Sequence, residues 1–516
     1  MLKIVTTGTV ILFSYGTAVT AGELALSNKN RSFDYSPSTP IKLDKQTKQS
    51  VAASRSRLVS QATEANPEAT KASDNLDSGA NPLLFPTVPD EVKVNSEQAI
   101  TLKQAIELAL KNNKDIEVAR LTVDRSRRQL QEANAALYPT LDAQLQASNS
   151  KSAAAEISAQ EGFTTTNGNE DTTAYNGSLT LTYNIYTGGS RVANIRRSQR
   201  QIRFDELDLE RTVEETRFEA ARDYYGLQNA DAQVDIEQAA VDDANQTLKD
   251  AKLLEEAGLG TRFDVLRAEV ELADAQQRLN TAMSNQDIAK RQLAETLNLG
   301  TKANLKTADE IKEAGTWDLS IEDTIVLAFK NRAELEQFLT QREINAQDKQ
   351  LALSQIRPQI DVFGSYDILD EADDDVDVAD GYTLGTRLQW SLFDGGAARA
   401  RAKQAETDIN IAENQFANQR DRVRFEVEQA YFSLQSNKEN IVTSNKAVEL
   451  AEESLRLARL RFQAGVGTQT DVIDAQSQLT TARGNFLTAV IDYNQSLVQL
   501  KRAVTNIPDS GLSDLP

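Results

Sequence analysis

Thr101-Leu-Lys-Gln-Ala-Ile-Glu-Leu-Ala-Leu-Lys-Asn112 reappears further along the chain as Ser320-Ile-Glu-Asp-Thr-Ile-Val-Leu-Ala-Phe-Lys-Asn331. The offset, 219 residues, holds without a gap through Pro139 and Pro358 to Leu141 and Ile360. Further on, Thr187-Gly-Gly189 returns as Asp394-Gly-Gly396, and Ala257-Gly-Leu-Gly-Thr261 as Ala464-Gly-Val-Gly-Thr468, now at an offset of 207. Twelve residues are therefore lost between the Pro and the Gly-Gly of the second copy. Length changes freely only in an exposed loop, so that interval must contain one. An internal duplication sets the architecture before any motif is considered.

Composition narrows the class. One duplicated unit of about 200 residues accounts for most of the chain. The 516 residues include no Cys and no His, which removes thiol chemistry, disulfide scaffolds, the usual zinc sites and histidine acid–base catalysis. A formal charge of −21 argues against nucleic acid as a partner, since that needs a basic face. No nucleophile–base set is visible, so an enzyme is not expected, and neither cofactor nor metal is called for.

At the N-terminus, Lys3 precedes an apolar stretch from Ile4 to Tyr15 and small residues ending Val19-Thr-Ala21. This reads as an export signal over residues 1–21, with a short buried helix or strand as the plainer alternative. Residues 22–96 are rich in Ser, Thr, Asn, Ala and Lys and poor in large apolar groups, so a mostly disordered segment is expected.

Beyond residue 21 no apolar run approaches the ~20 residues of a transmembrane helix. A membrane crossing would therefore need strands in a closed barrel. Strand candidates lie only between each Pro and its Gly-Gly. Leu141, Ala143, Leu145 and Ala147 alternate with polar residues, as do Leu179, Leu181, Tyr183 and Ile185. In the second copy Ile360 to Tyr366 and Tyr382 to Leu392 do the same. Tyr183, Tyr186, Trp390 and Phe393 gather toward the helix-side ends, where an aromatic girdle would sit. Two hairpins half buried in a soluble α+β domain remain the bland alternative. The loop at 367–380 holds eight carboxylates in fourteen residues but lacks the Gly and terminal Glu of an EF-hand, and reads as a solvated charge run.

The remainder reads as helix. Ser190–Glu256 holds one glycine, Gly226, and no proline, while Ala397–Gln463 holds neither. Each span of 67 residues would extend about 100 Å at 1.5 Å per residue. Shorter helices of about 35 residues are expected near 101–137, 263–297, 320–356 and 470–505, with the Gly-Leu-Gly and Gly-Val-Gly turns folding each long helix back onto a shorter one. Four strands cannot close a membrane barrel, because the smallest have about eight. A ring of identical chains solves this: a dimer gives eight strands with a filled interior, a trimer twelve with room for a lumen. A conduit follows, unless the chain is a non-conducting coiled-coil scaffold or an adaptor.

At this point the residues resemble the TolC-like outer membrane factors, the outer membrane efflux protein family. Leu102, Ile106, Ala109, Leu110 and Asn113 followed by Tyr138-Pro139 look like the family's first helix entering its first strand. Leu181-Thr-Tyr-Asn-Ile-Tyr-Thr-Gly-Gly189 and Leu388-Gln-Trp-Ser-Leu-Phe-Asp-Gly-Gly396 look like its second and fourth strands. The resemblance covers about residues 97–505 and implies a mainly α homotrimer. In it an outer-membrane β-barrel of four strands per chain continues into a long periplasmic α-helical barrel. It also implies a first repeat at 97–298, an equatorial linker at 299–319, a second repeat at 320–507 and a short tail at 508–516. The implied role is the exit duct of a tripartite efflux or type I secretion system, with outer-membrane lipid, a periplasmic adaptor and an inner-membrane pump as partners. Gly258, Leu259, Gly260, Thr261 and Gly465, Val466, Gly467, Thr468 match the hairpin tips where adaptors dock. Asp471 and Asp474, with Asp264 as the first-repeat equivalent of Asp471, fall where the family places acidic rings at the periplasmic entrance. The alternative for these acids is a helix first turn stabilised by its dipole. Arg267 replaces the equivalent of Asp474. Phe462 and Gly467 stand where some members carry the Tyr and Arg of a closing link, which puts that latch in doubt here.

Overall fold

A computed structural model describes residues 87–89, 93, 97–150, 172–299, 303–371 and 378–504, all within the unit Asn66–Pro516. The expected signal, most of the 22–96 segment, most of the first polar hairpin loop, part of the second and the tail fall outside the described residues.

Each copy opens with a helix pair. In the first, α1 (Leu102–Asn112) begins with a capping box in which Thr101 and Gln104 satisfy each other's backbone N–H groups, and α2 (Lys114–Ala135) follows. A single helix over 101–137 was the expectation; the chain instead breaks at Asn113, whose extended backbone (φ −63°, ψ 127°) lets its side chain accept from Asp115 and Ile116. Asn competes in this way for backbone donors and so favours a cap over a helix interior. The second copy breaks at the same place. Helices α5 (Ile321–Asn331) and α6 (Ala333–Ser354) meet at Arg332 (φ −77°, ψ 114°), which makes no cap bond.

Pro139 and Pro358 then turn the chain into strands, since the residue before proline avoids the helical region. Strands β2 (Thr140–Ser150), β3 (Thr172–Tyr186), β5 (Gln359–Glu371) and β6 (Ala379–Gln389) form one antiparallel sheet in the order β2-β3-β5-β6. The last strand stops at Gln389 rather than at Leu392. A bulge between Asn184 and Tyr186 ends the strict alternation of β3.

After each Gly-Gly comes a long helix, α3 (Ser190–Glu256) and α7 (Ala397–Gln463), both of 67 residues. Gly188, Gly189, Gly395 and Gly396 all take positive φ, and in the first copy this lets the chain pass from Tyr186 at the end of β3 to Ser190 at the start of α3 within four residues. Helices α4 (Arg262–Thr296) and α8 (Gln469–Val504) return along α3 and α7 to mid-length. The first long helix packs on α1, α2, α4, α6 and α8, the second on α5, α6 and α8. Buried positions along both are largely small, among them Ala193, Ala220, Ala244, Ala251, Ala398, Ala402 and Ala405, so the helices approach closely.

The large core residues concentrate at mid-length. Tyr224, Leu227, Leu293, Leu297 and Leu305 form one cluster, and Val423, Val427, Tyr493, Leu497 and Leu500 another. The segment after residue 302 wraps this waist. There β4 (Leu305–Thr307) pairs in parallel with β1 (Gln98–Ile100). The Tyr224 hydroxyl donates to Asp309 at 2.8 Å, Tyr493 donates to the Gly315 carbonyl at 2.7 Å, and Asn494 bonds Lys312 and Ala314. Toward the tips only small clusters remain, such as Val241 with Ala244 and Ala275.

Candidate functional site: sheet faces, waist and helical tips

The pairing register separates the sheet into two chemically distinct faces. Leu141 lies opposite Leu181, Leu179 opposite Tyr366, and Tyr366 opposite Tyr382, so one face carries Leu, Tyr, Ile and Val across all four strands. Residues one step along, including Gln144 opposite Ser178 and Thr180 opposite Ser365, put amides, hydroxyls and carboxylates on the other. Leu145, Leu384 and Tyr382 on the apolar face are 90%, 78% and 78% exposed, an arrangement suited to lipid and not to water. On the polar face the Arg387 guanidinium stands 3.6 Å from the Asp361 carboxylate and 4.9 Å from the centre of the Phe363 ring. That ring lies over Gly385, where an added Cβ would come within 2.8 Å of it. The sequence reading did not single out this cluster, although its polar half sits in the alternation.

The waist holds a second group that sequence reasoning missed. Arg332, at the helix break, donates to Glu334, Glu426 and the Ala503 carbonyl, while Arg502 donates to Glu215 and Glu334. These bonds tie α3, α6, α7 and α8 together. Burial pushes the Glu334 carboxyl up, but the flanking guanidinium groups outweigh it and hold the group at about 2. The signal available in sequence was Arg332 itself, standing where the first copy has the cap residue Asn113.

At the far end, both turns have the same hydrogen-bond pattern. Gly258 N–H donates to Glu255 O and Leu259 N–H to Leu254 O; Gly465 N–H donates to Phe462 O and Val466 N–H to Arg461 O. Gly258 (φ 75°) and Gly465 (φ 72°) occupy the left-handed region this closure needs. A Cβ at Gly467 would be crowded, 3.0 Å from that of Arg461 and 3.1 Å from the Phe462 backbone nitrogen. Between the glycines Leu259 and Val466 project, 80% and 70% exposed. Each tip is therefore a rigid turn presenting one aliphatic side chain.

Thr261 and Thr468 start the returning helices. Thr261 N–H donates to Asp264 at 3.1 Å and Thr468 N–H to Asp471 at 2.9 Å, with the reciprocal bonds to the threonine hydroxyls in place. Asp264 and Asp471 thus complete capping boxes. The Thr468 N–H, then its hydroxyl, hold the Asp471 carboxyl below the ordinary carboxylate range. Asp474 is one turn on, exposed, and forms no ion pair among the described residues. Its first-copy counterpart Arg267 donates to the Thr470 hydroxyl at 2.6 Å, joining α4 to α8 beside the acids. Phe462 packs against Leu455, Val472, Ala475 and Leu479. Two further bridges cross between helices near the tips: Arg459 to Asp243, and Gln476 to Thr247.

Comparison with known proteins agrees with this geometry. The sequence profile of the family described as outer membrane efflux protein matches residues 105–299 and 324–506. Among characterised relatives, the outer membrane efflux protein BepC of Brucella suis is 28% identical over 185 residues, 36% of this chain and 40% of that one. The outer membrane protein TolC of Vibrio cholerae is 21% identical over 277 residues, 49% of this chain and 61% of that one. The chain thus spans about half the length of these relatives. In fold, the CmeC outer membrane channel of Campylobacter jejuni superposes with a TM-score of 0.68 at 16% identity, covering 85% of this chain and 97% of the other. CusC gives 0.68 at 16% identity, covering 83% of this chain and 100% of the other.

Proposed function

The chain belongs to the outer membrane efflux protein family, and from that premise we propose that three copies close into an outer-membrane exit duct with a large periplasmic helical part. The observation that carries this reading is the sheet with one apolar face, one polar face and two free edges. Unpaired backbone cannot face lipid, so β2 of one copy must meet β6 of the next. Three copies give twelve strands with the polar face, including Asp361 and Arg387, turned to a water-filled lumen.

The helices support the same head-to-tail ring. On α7, Ile411, Phe425, Phe432, Leu450 and Leu457 are exposed and spaced 14, 7, 18 and 7 residues apart, which keeps them on one stripe. Val118 and Leu121 on α2 and Leu266, Val270 and Ile288 on α4 are exposed at the opposite edge. Each stripe is a seam lacking a partner among the described residues, and the next copy supplies it. The tube conducts passively and is not an enzyme. Leu259 and Val466 on the six tips offer an apolar foothold to a periplasmic adaptor that links the duct to an inner-membrane pump for efflux or type I secretion. Asp474 of the three copies lines the entrance and favours cations there, whereas Asp471 and Asp264 hold the helix starts that keep the entrance in shape.

The test is single-channel recording of the purified protein in a planar bilayer. Cation-selective steps whose selectivity falls in Asp474→Asn, and less so in Asp471→Asn, support the duct and its entrance. Selectivity indifferent to Asp474→Asn removes the acidic entrance but keeps the duct. A protein that stays soluble without detergent and never inserts is a scaffold, and the reading fails.

A further inference from the structure

The turn from β3 into α3 differs from its counterpart in the second copy. There Asp394 accepts from Gly396 N–H at 2.9 Å and Ala398 N–H at 2.7 Å, so a carboxylate neutralises the start of α7. In the first copy the matching residue is Thr187, and Arg191 stands at the position of Ala398. The Arg191 guanidinium donates to the Asn184 carbonyl and lies 5.9 Å from the centre of the Tyr183 ring. Tyr183 pairs with Val362 and so belongs to the apolar face of the sheet. The Arg191 Nε atom is buried with no hydrogen-bond partner among the described atoms. Arg357, in the turn between α6 and β5, donates to the Gly188 carbonyl at 3.1 Å. Two guanidinium groups therefore flank Asn184–Gly189, and among the described residues no carboxylate pairs with either.

The surroundings repeat the pattern. Arg196, Arg399, Arg401 and Lys403 near the sheet also form no ion pair among the described residues. Farther along α3, Arg197, Arg200 and Arg203 pair with Asp348, Glu343 and Glu336 of α6 at 2.8–2.9 Å. In a chain of net charge −21, several cations without an ion pair among the described residues thus lie near the exposed Tyr183, Tyr186, Trp390 and Phe393 that end the apolar face. Aromatic rings and cations at this level match the headgroup layer of a bilayer.

We propose that the β3–α3 turn is a lipid-headgroup site, in which Arg191 and Arg357 hold the phosphate of an anionic phospholipid from the helix-side leaflet while Tyr183 packs on its glycerol and acyl chain. This rests on the membrane reading above. The guanidinium groups supply planar paired donors suited to phosphate oxygens. Each copy then carries one lipid, fixing the depth at which the strands end and the helices emerge.

Full-length protein, purified in detergent and titrated with phosphatidylglycerol or phosphatidylcholine, is examined by native mass spectrometry, with flotation on vesicles of both compositions alongside. Wild type is expected to retain phosphatidylglycerol in preference, and that preference to fall about five-fold per arginine removed in Arg191→Gln with Arg357→Gln. Lysine at both positions should restore much of it, and Arg200→Gln, from a paired arginine, should leave it unchanged. An unaltered preference in the double glutamine variant overturns the site, as does equal competition by inorganic phosphate, which would make it a free-anion site. A wild type that floats with neither vesicle refutes the membrane reading itself, a separate result.

Discussion

Replacing Glu334 by Gln tests the waist cluster most directly. The carboxylate is shared by Arg332 and Arg502, whose side chains are 5% and 13% exposed, and is itself 12% exposed. Its titration is held at about 2 against the ordinary 4.5. At about 1.4 kcal/mol per unit, that displacement corresponds to about 3 kcal/mol of folding stability. The sign follows from linkage. A carboxyl depressed in the fold stabilises above its unfolded value, near 4.5, and loses that contribution as pH falls toward about 2. Glu334→Gln should therefore be less stable than wild type by about 3 kcal/mol at pH 7, with the gap closing between pH 4.5 and 2. The assay is denaturant unfolding followed by circular dichroism at several pH values in one detergent. A gap of the same size at pH 7 and pH 2 would refute the argument, since it would trace the loss to packing and not to charge.

Other expectations are of smaller scope. Leu384→Arg puts a charge on the apolar face and should cost about 2–4 kcal/mol near mid-membrane, abolishing recovery of folded protein from the outer-membrane fraction. Thr383→Arg, one residue away on the polar face, should be recovered normally. Gly465→Ala forces a side chain into the left-handed region at a cost of about 1–2 kcal/mol, and should show as faster amide exchange confined to the tip. Tyr224→Phe removes the hydroxyl bonded to Asp309, a loss of about 1 kcal/mol, and should open the wrap at 303–318 to limited proteolysis without changing the helical signal.

Elements whose residues repeat with a plain period were legible in the sequence. Alternation from Leu141 and from Ile360 gave the strands, and the unbroken 67-residue spans gave the long helices, because side-chain period and proline absence are local properties. The breaks at Asn113 and Arg332 were hidden, since apolar helical spacing continues on both sides and only the backbone at one residue differs. The cap role of Asp471 was legible, since its spacing from Thr468 is that of a capping box and the hydrogen bonds follow that local chemistry. The contacts made by Arg332 with Glu426 and by Arg191 with Tyr183 depend on which elements meet in space, and neither composition nor periodicity encodes that.

The unequal distribution of large side chains along the long helices has a mechanical consequence. Tyr224 and Leu227 on α3, and Val423 and Val427 on α7, are gripped by large clusters near mid-length, while the tips are held by smaller apolar clusters and a few polar bridges. Each long helix is thus a lever whose fulcrum is the waist. From Leu227 to the tip the free arm is about 45 Å at 1.5 Å per residue. Tilting it five degrees carries the tip about 4 Å by the same geometry, while the packing at the fulcrum hardly shifts. Force applied at Leu259 or Val466 therefore acts at the greatest mechanical advantage the chain offers.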